Sequence, residues 1–302
     1  MNERNHFTKD DIDTFLTKQP LWTKFVLQPL FKPLILFFVN QAPWVHPNFI
    51  TIISLLFSFL EIYFFSFIPG YMGLLFGAIF FEIAYFLDCI DGPIARMLNK
   101  NSKFGTALDI SADSLRLGGG ALALVLKALS YSTNPTSGKE ILFWGIILIT
   151  CHMASMWIGY KQLFDSLDPK LDSKPCAKIN RTQTILILKP IFWLINFFSK
   201  LSKNDRNYWL FPTSVELETV VYFILPLLNR PKIAIIVGGI WSLVNLVCTV
   251  VGYVYTTNWN MYYPIKFTKF ILRLCFLHCY VYSTCTRLKP HILIRRYRRC
   301  IV

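Results

Sequence analysis

"DCIDGPIARMLNKNSKFGTALDISAD", residues 88–113, places four aspartates between two strongly apolar stretches of a 302-residue chain that is 54% hydrophobic. Carboxylates at the depth of a bilayer are costly, and acids kept there are read first as functional. Their spacing is informative. Asp88 and Asp91 are three apart and share one face at the end of an apolar segment. Asp109 and Asp113 are four apart and share one face at the start of the next. A short connection between the two segments can bring both faces together.

Outward from this stretch the chain reads as an all-α membrane protein. Mean hydropathy is +0.44, and several apolar runs approach the ~18–20 residues needed to cross a hydrocarbon core of ~30 Å. In lipid the backbone must satisfy its own hydrogen bonds, so these runs are expected to be helices. Six spans are predicted, at about 47–68, 71–91, 105–128, 139–163, 212–229 and 232–257. Residues 1–46 form a polar N-terminus and an interfacial amphipathic helix, which Pro29 and Pro33 should break into short pieces. Residues 47–257 form the membrane domain, with a long connection at 164–210. A basic, amphipathic tail follows at 258–302. The acidic start is unlike a signal peptide.

Charge fixes an expected orientation. Of the 31 Lys and Arg, 25 fall before the first span, between spans two and three, between spans four and five, or in the tail, and Lys161 stands at the matching end of span four. Basic residues stay on the cytoplasmic side, so both termini and the aspartate segment are expected there. The net charge of +14 then suits an anionic lipid surface and calls for no nucleic acid. The eight cysteines form no C-x-x-C pair and are read as reduced. Cys275, His278 and Cys279 lack a second ligand pair for zinc and read as a helix face.

Four close, buried carboxylates repel one another. Divalent cations resolve this, and hard oxygen ligands suit Mg²⁺ or Mn²⁺, two ions about 4 Å apart in a paired site. Such ions polarise phosphates. Arg96 supplies a forked cation for phosphate oxygens. Gly92 and Gly105 allow a ligand to approach the backbone. Pro93 removes a donor and should break or kink the second span at Gly92.

The pattern Asp88-x-x-Asp91-Gly92-x-x-Ala95-Arg96, eight residues, Gly105-x-x-x-Asp109-x-x-x-Asp113 resembles the signature of the CDP-alcohol phosphotransferase family at all eight fixed positions. The resemblance implies transfer of a phosphatidyl or other substituted phosphate group from a CDP-alcohol to an acceptor alcohol, with release of CMP. It implies that Asp88, Asp91 and Asp109 hold two metal ions, and that Asp113 is the general base and is counted with the metal-site residues as well. Gly92, Ala95 and Arg96 would meet the donor diphosphate, and Gly105 would let the donor pack on the third helix. Asn48 and Thr51, in "HPNFIT", match a weaker family pattern that lines the cytidine site; a simple helix start explains them equally well. CDP-diacylglycerol is the expected donor. The alternative is a choline/ethanolamine-type enzyme that uses CDP-choline or CDP-ethanolamine with diacylglycerol. A homodimer is compatible with the resemblance.

Other polar residues are less specific. Glu61 and Glu82 either pair with Arg116 or the metal site, or are satisfied locally. Arg116 either holds an anionic acceptor or pairs with neighbouring acids. Gly118–Gly120 offer close helix packing, and residues 185–201 read as an interfacial or re-entrant helix. Thr213-x-x-Glu216 reads as a capping box. Glu218, two residues on, is a candidate for the acceptor pocket, and Lys178 and Arg181 could gather an anionic acceptor. Two rival classes are an ion-coupled transporter and a catalytically silent scaffold. The first leaves Gly92 and Arg96 unexplained, and the second predicts decay of the motif.

Overall fold

The computed structural model describes residues 7–16, 20–167 and 214–258, and every regular element among them is helical. The N-terminal segment contributes α1 (Lys9–Phe15) and α2 (Gln28–Leu36), the latter flanked by wide π turns at Thr23–Leu27 and Phe37–Gln41. Then follow α3 (Pro47–Phe67), α4 (Gly70–Met97), α5 (Lys103–Ser114), α6 (Gly120–Ser130) and α7 (Pro135–Leu167). After the connection come α8 (Ser214–Thr219), the short α9 (Leu225–Leu227) and α10 (Pro231–Asn258).

Among the described residues, four helical stretches are long and apolar enough to cross a membrane: Pro47–Phe67, Gly70–Met97, Pro135–Lys161 and Pro231–Val250. The other two expected spans also fall on helix, but each is interrupted. A π turn at Leu115–Gly119 joins α5 to α6, and one at Val220–Ile224 joins α8 to α9. Tight turns set the path. Pro69 and Gly70, with φ +65°, link α3 to α4, and Asn229, with φ 56°, lies in the link to α10. Residues 68–69, 131–134 and 228–230 therefore sit at one end of the bundle. The 98–102 turn, which joins the two aspartate helices, sits at the other.

Two apolar clusters hold this arrangement. Phe65, Leu74, Phe81, Leu117, Leu124, Leu148, Tyr222 and Ile235 form the core between the long helices. The second cluster binds the N-terminal segment to the aspartate end of α4. Leu27, Phe31, Ile35 and Val39 recur every fourth residue and bury one face against Ile90, Ile94 and Met97. The outward face carries Phe25, Leu30 and Phe37. At the start of α1, the Thr8 backbone N–H and hydroxyl both donate to Asp11, at 2.7 and 2.8 Å. These bonds hold the Asp11 carboxyl below its ordinary range.

Two helix breaks expected at proline do not occur. Pro93 lies inside α4, which continues to Met97. The clash that disfavours helix before proline involves the preceding residue's N–H and its Cβ, and a glycine lacks the second of these. Residue 92 is a glycine, so the helical conformation survives there. Pro29 and Pro33 likewise do not break the N-terminal helix. Residues 21–41 run on as helix, and the two π turns change its register around the prolines.

Candidate active site

The turn at 98–102 folds α5 back beside α4. Asn99 adopts φ 52° just beyond α4, and the Ser102 hydroxyl caps α5 by accepting the Gly105 N–H at 2.9 Å. Asp109 follows one turn after Gly105, and Asp113 one turn later. All four aspartates are buried. Asp88, Asp91 and Asp109 each offer an oxygen within 4.8 Å of the others. Asp88 Oδ2 and Asp109 Oδ2 are buried without a hydrogen-bond partner among the described residues. The residues present therefore fit a hard divalent cation: a compact, all-oxygen donor set with buried lone pairs that no donor among the described residues satisfies.

Asp113 has different company. Arg116, one turn further along, makes a close ion pair with it and lies 4.0 Å from Asp88. The Tyr160 hydroxyl of α7 donates to the other Asp113 oxygen at 3.4 Å. The guanidinium is itself buried against two rings, 5.0 Å from the Tyr85 centroid and 5.6 Å from that of Phe81. So Arg116 is a pairing residue in this arrangement. The widened π turn begins at its immediate neighbour, Leu115.

The remaining motif residues gather on the same side. The Arg96 side chain lies over Gly92, with Nη1 3.2 Å from where a Cβ on residue 92 would stand. Its Nε donates to the Phe15 carbonyl at 3.1 Å. Ala95 is fully buried. The Thr51 hydroxyl donates to Asp91, so this residue steadies a carboxylate. Asn48 is half-buried and its Oδ1 has no hydrogen-bond partner among the described residues. Lys178 and Arg181, the 185–201 stretch, Thr213 and the Cys275–His278–Cys279 group all lie outside the described residues.

The other acids also find places. Glu82 accepts the Trp22 indole N–H at 2.7 Å. Glu61 is fully buried against Gly120, with no hydrogen bond to either oxygen among the described residues. Glu216 accepts the Leu21 N–H at 2.5 Å and so ties α8 to the N-terminal segment. Glu218 is buried with its Oε1 3.8 Å from His152 Nε2.

Sequence reading missed Tyr160, Tyr85 and His152. Tyr160 had one visible signal: a hydroxyl at the end of an apolar helix, on the side where the aspartates lie. The Tyr85 ring and the Thr51–Asp91 bond depend on how α3 and α4 pack, and spacing along one helix does not encode that.

No individual curated protein matches the chain. The family model for CDP-alcohol phosphatidyltransferase matches residues 44–281, which takes in every described helix from α3 to α10. With the aspartate motif assembled inside that region, the chain belongs to the CDP-alcohol phosphatidyltransferase family.

Proposed function

We propose that this protein is an integral membrane enzyme of phospholipid synthesis. It transfers the phosphatidyl group of CDP-diacylglycerol to an acceptor alcohol and releases CMP. The observation that carries this is the division of the four buried aspartates: three converge on one point, and the fourth stands beside them, oriented by Arg116 and Tyr160.

Asp88, Asp91 and Asp109 would hold two Mg²⁺ or Mn²⁺ ions. Such ions, when bound, offset charge on the diphosphate and on the departing CMP. Arg96 and Gly92 would seat the diphosphate, and Asn48 would face the cytidine side. Asp113 would take the proton from the acceptor hydroxyl. A new bond then forms from that oxygen to the β-phosphorus. The bond from the β-phosphorus to the CMP oxygen breaks, and CMP leaves with the electron pair. Arg116 and Tyr160 fix the direction of the Asp113 carboxylate, so one lone pair faces the acceptor.

Residues 103–130 and 214–227 serve as two further spans in this reading, giving six. The positive charge beside the 98–102 turn supports a site at the cytoplasmic face. There CMP escapes to water while the acyl chains stay in lipid.

The test is CMP release by the purified protein in nanodiscs, with CDP-diacylglycerol, Mg²⁺ or Mn²⁺, and a panel of alcohols. Release should require the metal. Asp113→Asn should retain donor binding and lose turnover, whereas Asp88→Asn, Asp91→Asn and Asp109→Asn should lose both. Equal loss of donor binding in all four would refute the division of roles. Release from CDP-choline with diacylglycerol instead would reassign the donor.

A further inference from the structure

Behind Asp113 the bundle contains a second polar zone that the aspartate motif does not account for. Gly238 of α10 stands against Leu148 of α7 and Val221 of the π turn after α8: a Cβ added there would lie 3.1 and 3.2 Å from those side chains. Helical periodicity carries that facing direction along α10. Ser242, Asn245 and Thr249 lie four, seven and eleven residues on, within about 40° of the same direction. On α7, His152 and Ser155 lie four and seven residues beyond Leu148, in the same chain sense. Asn245 and Ser155 are thus each about 10 Å beyond the Gly238–Leu148 contact and share a level. Glu218 reaches this level from α8, 3.8 Å from His152.

All six side chains are buried: His152, Ser155, Glu218, Ser242, Asn245 and Thr249. Two of them are not satisfied by the protein. Asn245 is 6% exposed and Thr249 4%, yet Asn245 Nδ2 and Thr249 Oγ1 have no hydrogen-bond partner among the described residues. A seam that served only helix packing would close its own hydrogen bonds, because unpaired donors inside a membrane domain are expensive. The zone also connects to the reaction centre. Glu218 lies within electrostatic reach of Arg116, which holds Asp113. Tyr160, two turns along α7 from His152, holds the other Asp113 oxygen.

We infer that His152, Glu218, Asn245 and Thr249 form the pocket for the acceptor alcohol, and that the acceptor is a small uncharged polyol. This rests on the transferase reading above. A carboxylate, an imidazole, an amide and a hydroxyl on three helices offer donors and acceptors together, the complement of several hydroxyl groups that each donate and accept. Glu218 places a negative charge where a phosphorylated acceptor would need a positive one. Its carboxylate is already beside His152, which makes it a poor seat for an ammonium group.

The experiment measures acceptor kinetics in nanodiscs with CDP-diacylglycerol as donor and inositol, ethanolamine and glycerol phosphate as competing probes. It is paired with equilibrium binding of radiolabelled inositol in the absence of donor. The parent should bind inositol and transfer to it in preference to the other two. Glu218→Gln and Asn245→Ala should each raise the inositol KM at least tenfold, with the KM for CDP-diacylglycerol changed less than twofold. Both should weaken inositol binding in parallel. Glu218→Gln is nearly isosteric, and a monodisperse size-exclusion profile keeps it informative if Asn245→Ala misfolds. Preference for glycerol phosphate or ethanolamine overturns the inference. So does an inositol KM in Glu218→Gln equal to that of the parent. In both cases CMP release persists and the transferase reading stands. If the parent releases CMP with none of the three and binds no inositol, both readings fall.

Discussion

The two ends of the bundle handle charge in opposite ways. At the 131–134 and 228–230 end, charges are few and the one acid, Glu140, is paired. Lys232 pairs with Glu140 at 2.6 Å, both about two-fifths exposed, and Lys127 donates to the Ile68 carbonyl that ends α3. At the 98–102 end, three buried aspartates converge, a fourth stands beside them, and one buried guanidinium, Arg116, pairs among them. The first pattern is ordinary structural bookkeeping at the ends of membrane helices. The second leaves a surplus of negative charge that the described side chains do not neutralise. That surplus, more than the presence of acids in apolar helices, separates a site from a scaffold. Glu61 is a buried acid and Glu82 a half-buried one, but neither belongs to the convergent set.

If the surplus is functional, removing one carboxylate should cost activity and gain stability. Asp109→Asn should reduce CMP release by about three orders of magnitude, the effect of losing several kcal/mol of cation stabilisation at ~1.4 kcal/mol per tenfold. The same variant should unfold at a higher temperature than the parent in metal-free buffer, because one unpaired buried charge is gone. A lower melting temperature without metal would mean that the carboxylates are already balanced, and the contrast between the ends would collapse.

Arg116 gives the next largest effect. Arg116→Met should destabilise the protein by about 3–5 kcal/mol, the usual cost of stranding one partner of a buried pair. Arg116→Met with Asp113→Asn should recover a large part of it in denaturant titrations in detergent. A single variant that costs under about 1 kcal/mol would show that Arg116 is not what holds Asp113. Close packing beneath the site is worth less. Gly120→Ala would force a methyl group onto Glu61, for about 1–3 kcal/mol by the same titration. At the matched end, Glu140→Gln should change stability by about 0.2–1 kcal/mol, and high salt should erase the difference. A larger, salt-resistant loss there would make the two ends alike.

Much of this was legible in the sequence, for a physical reason. Helical spacing fixes which side chains share a face, so Asp88 with Asp91 and Asp109 with Asp113 could be paired before any fold was known. The short 98–102 link then forces the two faces together. Apolar length located the long helices equally well. Three features were not legible. Pro93 reads as a breaker because proline usually is one; the glycine before it removes the Cβ part of the clash, and reading the pair together would have caught this. The π turns at Leu115–Gly119 and Val220–Ile224 leave no periodic signal, since one extra residue in a turn shifts the register without changing composition. Partners on other helices, such as Tyr160 for Asp113, Thr51 for Asp91 and Leu21 for Glu216, are set by packing between segments up to 195 residues apart. A single sequence does not encode such distances locally.

The central claim is that the aspartate end is short of positive charge and takes it from divalent ions. Binding of Mn²⁺ to the purified protein in nanodiscs, read by electron paramagnetic resonance of the free ion, tests it most directly. The parent should take up Mn²⁺ saturably, more tightly with CDP-diacylglycerol present. Asp109→Asn should weaken that uptake at least tenfold, and Lys232→Ala should leave it unchanged. Uptake that is absent from the parent with donor present, or equal in the parent and Asp109→Asn, would contradict the account.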